Sequence, residues 1–307
     1  LKGDFMTDIN LYKDLPPQIA CTIDLTEGCN LACDYCFTWS DHKPRKITFD
    51  LGKRILDWWM PQTDTSLGDV QVSWWGGEPL LEWELLKKLT LYAESLAEKL
   101  NKPISFGGTT NGILYTPDKV EWTLKHKGLF LVSLDGIEES HNLHRKNKKG
   151  EGSWKKVVKN LREGLKIAPQ LKVRASFGPD NMKYFYESIL FFFEDLGVQD
   201  VAFSAVYEGE WTKETWQIME EQFTKAVQYA VKRMKEGKPC VLKHLNDEAC
   251  LAFGQKNVQN PCGAGSGYIA WSVDGFAFPC HRFNKHGIST KDRAKLPTII
   301  ARPKGNS

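Results

Sequence analysis

Three cysteines close together near the start of the chain are the residues best suited to chemistry. The stretch DLTEGCNLACDYCFTW contains Cys29, Cys33 and Cys36, with Tyr35 between the last two. This spacing suits neither a disulfide framework nor a typical zinc knuckle, and three thiolates are one short of a closed four-ligand site. Three thiolates could hold three irons of a cubane cluster and leave the fourth iron with an open position. A zinc site or unrelated core cysteines are the alternatives.

A second group of cysteines follows Gly237 and consists of Cys240, Cys250, Cys262 and Cys280. Soft thiolates grouped in this way favour an iron–sulfur cluster or zinc over hard cations, and a metal could help to hold a small domain together. The alternative for Cys240 and Cys250 is that they are small buried core residues. Eight cysteines in a chain without secretory features indicate reduced thiols and a cytoplasmic protein.

The elements that position the first cysteine group are a repeating series of strands and helices. Short runs rich in β-branched and aromatic residues predict strands at QIACTIDL, DVQVSWW, ISFGGTT, LFLVSLD, LKVRASF and VAFSAVY. Between them, apolar residues at three and four spacing predict amphipathic helices at DLGKRILDWWM, EWELLKKLTLYAESLAEKL, DKVEWTLKHK, SWKKVVKNLREGLKI, NMKYFYESILFFFEDLG and KETWQIMEEQFTKAVQYAVKRMKEG.

Six strand-then-helix units in succession predict right-handed crossovers and a parallel sheet. Because six units are fewer than a closed eightfold barrel requires, the expected fold class is α/β. It comprises a partial (β/α)6 barrel with parallel strands and a small C-terminal cysteine-containing domain. We expect a lead-in over residues 1–18, the barrel over 19–237, and the small domain with a basic tail over 238–307. Ligands of such folds bind at the carboxyl ends of the strands, where the first cysteine group lies.

Bulk properties restrict the function only weakly. The chain has 307 residues, 41% of them apolar, and a net charge of +3. This composition can build one large hydrophobic core or two smaller ones. The near balance of charge does not indicate nucleic-acid binding, although it does not exclude it. No apolar run reaches the ~18 residues of a membrane span, and no signal peptide is visible, so we expect no membrane partner.

The first cysteine group, together with the segment after the second predicted strand, resembles a known family. Cys-x3-Cys-x2-Cys with Tyr35 is similar to the signature of radical S-adenosylmethionine (radical SAM) enzymes, which bind a 4Fe-4S cluster and S-adenosylmethionine (SAM). The segment WWGGEPLL has two glycines that permit close backbone approach to a ligand. The resemblance implies that this GGEP turn holds the amino group of SAM through Gly76, Gly77, Glu78 and Pro79.

Two further segments continue the match. TTNG, with Asn111, follows the third predicted strand, and SLDGIEESHNLHR follows the fourth. The resemblance implies that Tyr35 and Asn111 are among the residues that bind SAM. The segment SLDGIEESHNLHR is similar to the SxDG-x4-H-x3-R run of a branch that modifies peptides and proteins. The resemblance implies that Ser133 contacts the SAM ribose and Arg145 its carboxylate, which suits a planar guanidinium. Arg174 is a weaker candidate for a polar contact with SAM, and Val206 for an adenine neighbour.

Each of these segments also has an ordinary interpretation: a turn, a strand end or a solvated basic run. Because these segments occur in order at the carboxyl ends of consecutive predicted strands, they favour membership of the radical SAM family over the ordinary interpretations. The resemblance implies that one electron from the cluster cleaves SAM to methionine and a 5′-deoxyadenosyl radical, which abstracts a substrate hydrogen. It also implies an electron donor such as flavodoxin or ferredoxin.

The segment CGAGSGYIAWSVDGFAFPCHRF resembles the opening of the SPASM domain, which carries auxiliary iron–sulfur clusters. Cys262, Gly275 and Cys280 fit its pattern, but no cysteine follows Cys280. We therefore expect at most one auxiliary 4Fe-4S cluster, with Cys250 as the third ligand and Cys240 as a candidate fourth.

His281 stands where sulfatase-maturing members of the family have an aspartate base. A histidine there could act as a catalytic acid or base, as a ligand, or in a structural hydrogen bond. The substitution counts against formylglycine formation.

The substrate is the least determined part of the interpretation. Most enzymes that combine these segments modify ribosomally made peptides or proteins, so the leading hypothesis is radical modification of a peptide or protein side chain. Little sequence precedes Cys29, so we expect either that a separate protein delivers the peptide or that the substrate is something else. The basic run HRKNKKGEGSWKK permits a second hypothesis, chemistry on a nucleotide or an amino-acid adduct of DNA. A third is a non-catalytic iron–sulfur protein for electron transfer or binding.

Overall fold

The computed structural model describes residues 19–38, 43–207, 209–238, 240–243, 264 and 267–284. The predicted lead-in over residues 1–18, Cys250, Cys262 and the basic tail from Lys285 lie outside the described residues. Among the described helices, none is long and apolar enough to cross a bilayer.

The described strands form one sheet in the order β7-β6-β5-β4-β3-β2-β1-β8-β9. Neighbouring strands from β7 to β8 pair in parallel, and β9 alone is antiparallel to its neighbour. The strands are β1 (Ala20–Thr26), β2 (Val70–Gly76), β3 (Ile104–Thr110), β4 (Gly128–Ser133), β5 (Val173–Phe177), β6 (Asp200–Ala205), β7 (Val241–Leu242), β8 (Tyr268–Trp271) and β9 (Ala277–Phe278).

Seven α-helices connect these strands within the described ranges. They are α1 (Phe49–Trp59), α2 (Trp83–Lys99), α3 (Pro117–Lys125), α4 (Glu138–His144), α5 (Trp154–Ile167), α6 (Phe185–Leu190) and α7 (Lys213–Lys235). Local sequence explains several helix ends. Thr48 caps α1 by accepting from Leu51 N at 3.2 Å, and Thr212 and Thr215 form a capping box at the start of α7.

The six predicted strand–helix units are confirmed, and they form the partial barrel expected from the sequence. Strand residues alternate between the helix-facing side and the inner side of the sheet. Cys21, Ile23 and Leu25 of β1 are fully buried in the core cluster with the helices. The inner side is polar instead: Thr22 of β1 pairs in register with Ser73 of β2, and this polar surface is where a ligand would bind.

The described part of the C-terminal segment forms a hairpin that continues the barrel sheet. Strand β8 pairs in parallel with β1, from Ala20 opposite Tyr268 to Ile23 opposite Trp271. Strand β9 then folds back along β8. Trp271 is fully buried and packs edge-on against Trp58 of α1, with ring centroids 5.6 Å apart. The hairpin therefore shares the hydrophobic core of the barrel, and the domain boundary at residue 237 stays a prediction.

Candidate active site

The loop that carries the first three cysteines, residues 28–36, follows β1 directly and is called the cluster loop here. The GGEP turn after β2 packs against its start. Gly77 N donates to Thr26 O and Glu78 N to Gly28 O, both at 2.8 Å. A Cβ atom on Gly76 would overlap Thr26 O, and one on Gly77 would overlap Gly28 O. Since only glycine fits at both positions, the two glycines serve the close contact between turn and loop.

The three thiols of the cluster loop are half-buried and free of disulfides. Cys29 Sγ accepts from Leu31 N at 3.4 Å and from Asn111 Nδ2 at 3.7 Å, and Cys36 Sγ lies 3.2 Å from Thr38 Oγ1. Burial raises the pKa of Cys29 to about 11 and that of Cys33 to about 12. The protein groups around Cys29 and Cys33 therefore favour the neutral thiols, and a bound metal would have to supply the positive charge that stabilises their thiolates.

The donor set fits an iron–sulfur cluster. Three soft sulfur donors lie on one short loop, and amide donors reach the sulfur of Cys29, as hydrogen bonds do in cluster sites. In the described part of the chain, no three His, Cys, Asp or Glu side chains converge on a single metal ion. In a cubane cluster each thiolate binds a different iron.

Glu78 is a fully buried carboxylate that ties the GGEP turn to the end of β3. It accepts from Leu80 N at 3.0 Å, Thr110 Oγ1 at 2.8 Å and Asn111 N at 2.7 Å. Burial raises the pKa of Glu78 to about 7, although these hydrogen bonds favour the charged form. Asn111 Nδ2 donates in turn to Asn30 Oδ1 at 2.6 Å. The turn, β3 and the cluster loop therefore form one connected network.

Asp135, at the start of the loop after β4, organises a second network. It accepts from Arg145 Nε and from Ser176 N, each at 2.8 Å, and from the hydroxyl of Tyr35. The guanidinium of Arg145 also lies 5.5 Å from the centre of the Tyr35 ring. Asp135 thus joins three predicted site segments, a role that its place in the SLDG segment did not indicate.

His144 is a further site residue that the sequence analysis missed. Its Nδ1 lies 2.8 Å from Asp34 Oδ1 of the cluster loop, and its Nε2 lies 3.1 Å from Asp180 Oδ1 after β5. Its ring packs against Tyr35 at 5.2 Å. No sequence signal indicates this bridge, because its two carboxylates belong to segments 146 residues apart that meet only in the folded barrel.

A cavity of about 450 Å³ opens beside these residues. Two predicted cofactor contacts, Tyr35 and Val206, line it together. The lining consists of Asp34, Tyr35, His144, Gly178, Pro179, Asp180, Val206, Gly209 and Glu210. The cavity therefore combines an apolar wall with an acidic rim at the carboxyl ends of β5 and β6.

Comparison with protein families agrees with this geometry. The model of the radical SAM superfamily matches residues 23–191, more than half of the chain. The chain belongs to the radical SAM superfamily. Membership implies a 4Fe-4S cluster and SAM as cofactors.

Individual relatives of this radical SAM protein are distant. The serine-type anaerobic sulfatase-maturating enzyme of Bacteroides thetaiotaomicron is 27% identical over 195 residues, 59% of this chain and 44% of that protein. The GTP 3′,8-cyclase of a Synechococcus species is 36% identical over 121 residues, 38% of this chain and 33% of that protein. The chain therefore spans less than half the length of these two relatives.

Solved structures share the fold of this radical SAM protein. The structure of anSMEcpe with bound AdoMet and the Kp18Cys peptide aligns with a TM-score of 0.74 and 18% identity. The alignment covers 92% of this chain and 81% of that one. At this identity, the likeness establishes the partial-barrel fold.

Two more predicted contacts of the radical SAM site lie side by side in the sheet. Ser133 ends β4 and stands opposite Arg174 of β5 in the register. Arg174 Nη2 donates to Ser204 Oγ of β6 at 2.9 Å. Both residues thus belong to the polar inner side of the barrel, and their contacts with SAM stay predictions.

The candidate auxiliary-cluster residues are only partly described. Cys240 is buried in the core cluster and directly precedes β7, while Cys280 is half-buried and follows β9, at the other end of the strand order. This burial supports the alternative in which Cys240 packs as a small core residue. Cys250 and Cys262 lie outside the described residues, so the auxiliary cluster stays a prediction.

His281 lies on the inner side of the barrel. Its Nδ1 is 2.9 Å from Tyr268 Oη, and its ring packs on Trp75 at 4.6 Å and on Phe37 at 5.9 Å. Burial, followed by the charges of Arg174 and Arg282, lowers the pKa of His281 to about 4. The imidazole is therefore neutral near pH 7, and the hydrogen bond to Tyr268 fixes its orientation.

Proposed function

We propose that this chain is a radical SAM enzyme that modifies a peptide or protein side chain. The observation that carries the proposal is the meeting of the cluster loop, the GGEP turn and Arg145 around one group of strand ends. Cys29, Cys33 and Cys36 would hold the cluster, which would supply the electron for reductive cleavage of SAM and so permit radical abstraction of a substrate hydrogen. The chain's own residues bind and orient these groups.

Each part of the site has a role in the proposal. Cys29, Cys33 and Cys36 hold the cluster, and the GGEP turn presents backbone groups to the amino group of SAM. Arg145 faces the SAM carboxylate with its two terminal nitrogens, because Asp135 already engages its Nε. Ser133 contacts the ribose. Tyr35 and Val206 flank the adenine in the cavity that they line together.

A peptide or protein substrate is supported by the relatives. One is named as a sulfatase-maturating enzyme, and the matched anSMEcpe structure holds a peptide. In the proposal, a neutral His281 on the inner side of the barrel faces the substrate as acid or base. A delivery protein and an electron donor such as flavodoxin or ferredoxin also belong to the proposal.

A nucleotide substrate is the second candidate. The observation that favours it is the 36% identity to a GTP 3′,8-cyclase, which extends over 121 residues. Nucleotide binding through phosphates predicts an affinity that falls steeply with salt. Binding of labelled GTP between 50 and 200 mM salt would distinguish the two candidates.

The proposal is tested by anaerobic reconstitution with iron and sulfide, followed by assay of SAM cleavage under reducing conditions. Replacing Cys29, Cys33 and Cys36 together with alanine should remove about four irons per chain and abolish 5′-deoxyadenosine formation. The matched control is Cys21→Ala, which removes a fully buried core thiol from β1 and should leave both readouts in place. SAM cleavage that survives in the triple variant would refute the assignment.

The same iron measurement tests the auxiliary cluster. About eight irons per chain in the wild type, falling to about four in the triple variant, would support one auxiliary cubane. About four falling to none would leave a single-cluster enzyme.

A further inference from the structure

Residues 146–152 form a tight loop between α4 and α5, called the basic loop here. Lys146 and Gly152 pair in an antiparallel bridge. Asn147 closes the turn between them, because its N donates to Glu151 O at 2.9 Å and its Oδ1 accepts from Glu151 N at 3.0 Å. These contacts fix the backbone, so the positions from which the side chains of the loop project are defined.

The exposed side chains of this region are mostly cationic. Lys155 pairs with Glu138 at 3.9 Å, whereas the other three exposed lysines have no carboxylate within ion-pair distance in the part of the chain that the structure describes. Glu151 is the only acid of the basic loop, and its carboxylate accepts from Asn147 Nδ2 at 2.7 Å. The surface is therefore open to an anionic partner. Its exposed lysines are Lys148 and Lys149 in the loop, and Lys155 and Lys156 in the first turn of α5.

The basic loop touches the cluster loop directly. Ala32 N donates to Lys146 O at 2.8 Å, and Ala32 is bonded to Cys33, a proposed cluster ligand. The cluster loop reaches the surface here, because Ala32 and Cys33 are half-buried and Asp34 is exposed. A short path of one hydrogen bond and the backbone of Ala32 thus joins the basic loop to Cys33.

We propose that the basic loop and the first turn of α5 are the docking surface for a small acidic electron-carrier protein. This inference rests on the proposed function, in which each cleavage of SAM consumes one electron from outside the chain. The reduced flavin or iron–sulfur centre of the carrier would give up one electron to the cluster site at Cys33. No bond forms or breaks in this transfer, and the carrier leaves oxidised by one electron.

The charge and size of the surface suit this partner. Opposite charges on two proteins steer them together and fix their orientation, and they often raise the association rate more than the affinity. A carrier that must leave after each electron needs a contact of this kind. Transient electron-transfer complexes bury less than about 1,200 Å² in total, so a single loop and the turn of helix beside it can form the centre of the contact.

A nucleic acid is the other polyanion that such lysines could bind. As a substrate it would also have to reach the inner side of the barrel. The cavity beside the cluster loop carries Asp34, Asp180 and Glu210 at its rim, and these carboxylates repel phosphates. A carrier protein has to approach the cluster loop only from outside, so the distribution of charge favours the carrier.

The test measures binding of a labelled acidic flavodoxin to the anaerobically reconstituted enzyme by fluorescence anisotropy. The dissociation constant should rise at least tenfold between about 50 and about 300 mM salt, because salt screens exposed charges. The double variant Lys148→Glu, Lys149→Glu should weaken binding about tenfold or more at the lower salt concentration. It should also slow SAM cleavage driven by reduced flavodoxin. Cleavage driven by dithionite should persist, since a small reductant does not need the docking surface.

The double variant Lys232→Glu, Lys235→Glu is the matched control. It makes the same change of charge at two exposed positions in the last turn of α7. This turn lies toward the amino ends of the strands, because β7, which follows it closely, pairs with the start of β6. Since exposed charges farther apart than a Debye length are largely screened, the control should keep the affinity for flavodoxin within about twofold.

The other outcomes separate the inference from the proposed function. Unchanged flavodoxin affinity in the Lys148→Glu, Lys149→Glu variant, or an equal loss in the control, would overturn the inference. Tighter binding of duplex DNA than of flavodoxin, with competition between the two, would show a nucleic-acid surface and also overturn it. Loss of dithionite-driven cleavage in the loop variant would do the same. If dithionite drives no cleavage in the wild type while flavodoxin binding still depends on the loop, the proposed function fails and the docking surface stands.

Discussion

Asp135 shows how one residue sets the geometry of the site. Burial raises its pKa, but the charges of Arg145 and His141 and the hydrogen bonds it accepts outweigh this effect and hold the pKa below its ordinary value. It is therefore a carboxylate that fixes Arg145 and Tyr35 in relation to each other. It acts through these residues, which makes it a positioning residue.

Asp135→Asn should leave Arg145 buried without its counter-ion. We expect a loss of about 3–5 kcal/mol in the free energy of unfolding, measured by urea denaturation, and a weaker affinity for SAM. The matched control is Glu221→Gln, which breaks an exposed pair with Lys225 on α7 and should cost about 0.3–0.5 kcal/mol. Equal losses in the two variants would contradict the role given to Asp135.

At the scale of residues, the sequence indicated the cysteines and the proposed SAM contacts, which stay predictions, but not the residues that the structure shows linking them. The cysteines, Tyr35 and Arg145 stand in short motifs whose spacing is informative by itself. The roles of Asp135 and His144 depend on which segments meet in the fold. His144, for example, joins residues that precede β2 and follow β5, and no local pattern encodes that contact.

At the scale of elements, the contact between the GGEP turn and the cluster loop determines how precisely the three thiols are placed. Gly76 has a φ of +128°, in the region that favours glycine. An added Cβ at Gly76 or Gly77 would meet backbone atoms first, so a side-chain rearrangement cannot relieve the overlap. The glycines thus have a structural role besides their expected contact with SAM.

Gly77→Ala should push the cluster loop away from the turn. The variant should lose at least about 1 kcal/mol of stability, because the backbone conformation must change, and should bind less iron after reconstitution. Gly267→Ala is the control, since a Cβ there meets nothing within 4 Å. If Gly77→Ala retains full iron content and an unchanged thermal midpoint, the close packing is not essential to the site.

The sequence predicted helices and strands well where the spacing of apolar residues is regular within one segment, and poorly where it is not. Strand β3 has the predicted bounds, and helical structure forms in all six segments where the spacing of apolar residues predicts a helix. The predicted helix at NMKYFYESILFFFEDLG is broken in the structure into a 3₁₀ turn, α6 and a π-helical turn at Phe191–Asp195. The short α4 was missed because seven residues provide too little periodicity.

At the scale of the whole molecule, the C-terminal hairpin and the start of the barrel belong to one continuous sheet. Arg45 joins them: it binds Glu27, after β1, through Nη2 at 2.6 Å and Asp274, between β8 and β9, through Nη1 at 3.0 Å. The sequence did not predict this pairing, because β8 is short and its partner in the sheet, β1, is more than 240 residues away in the chain.

Trp271→Ala should therefore destabilise the barrel as well as the hairpin. Removal of this fully buried ring should cost about 3–5 kcal/mol and lower the hydrogen-exchange protection of β1. Trp216→Ala, at a position 52% exposed on α7, should change stability by no more than about 0.5 kcal/mol. Unchanged protection of β1 in Trp271→Ala would show that the hairpin unfolds independently.

The pairing of β1 with β8 has a consequence for synthesis on the ribosome. Thr22 and Tyr268 are in contact although they are 246 residues apart, and translation at about 5–20 residues per second needs roughly 12–50 s to cover that distance. During this time one edge of β1 lacks its final neighbour, β8. An unpaired strand edge can pair with other chains and so promote aggregation. The strand that leads into the cluster loop is therefore made well before the strand that completes its pairing.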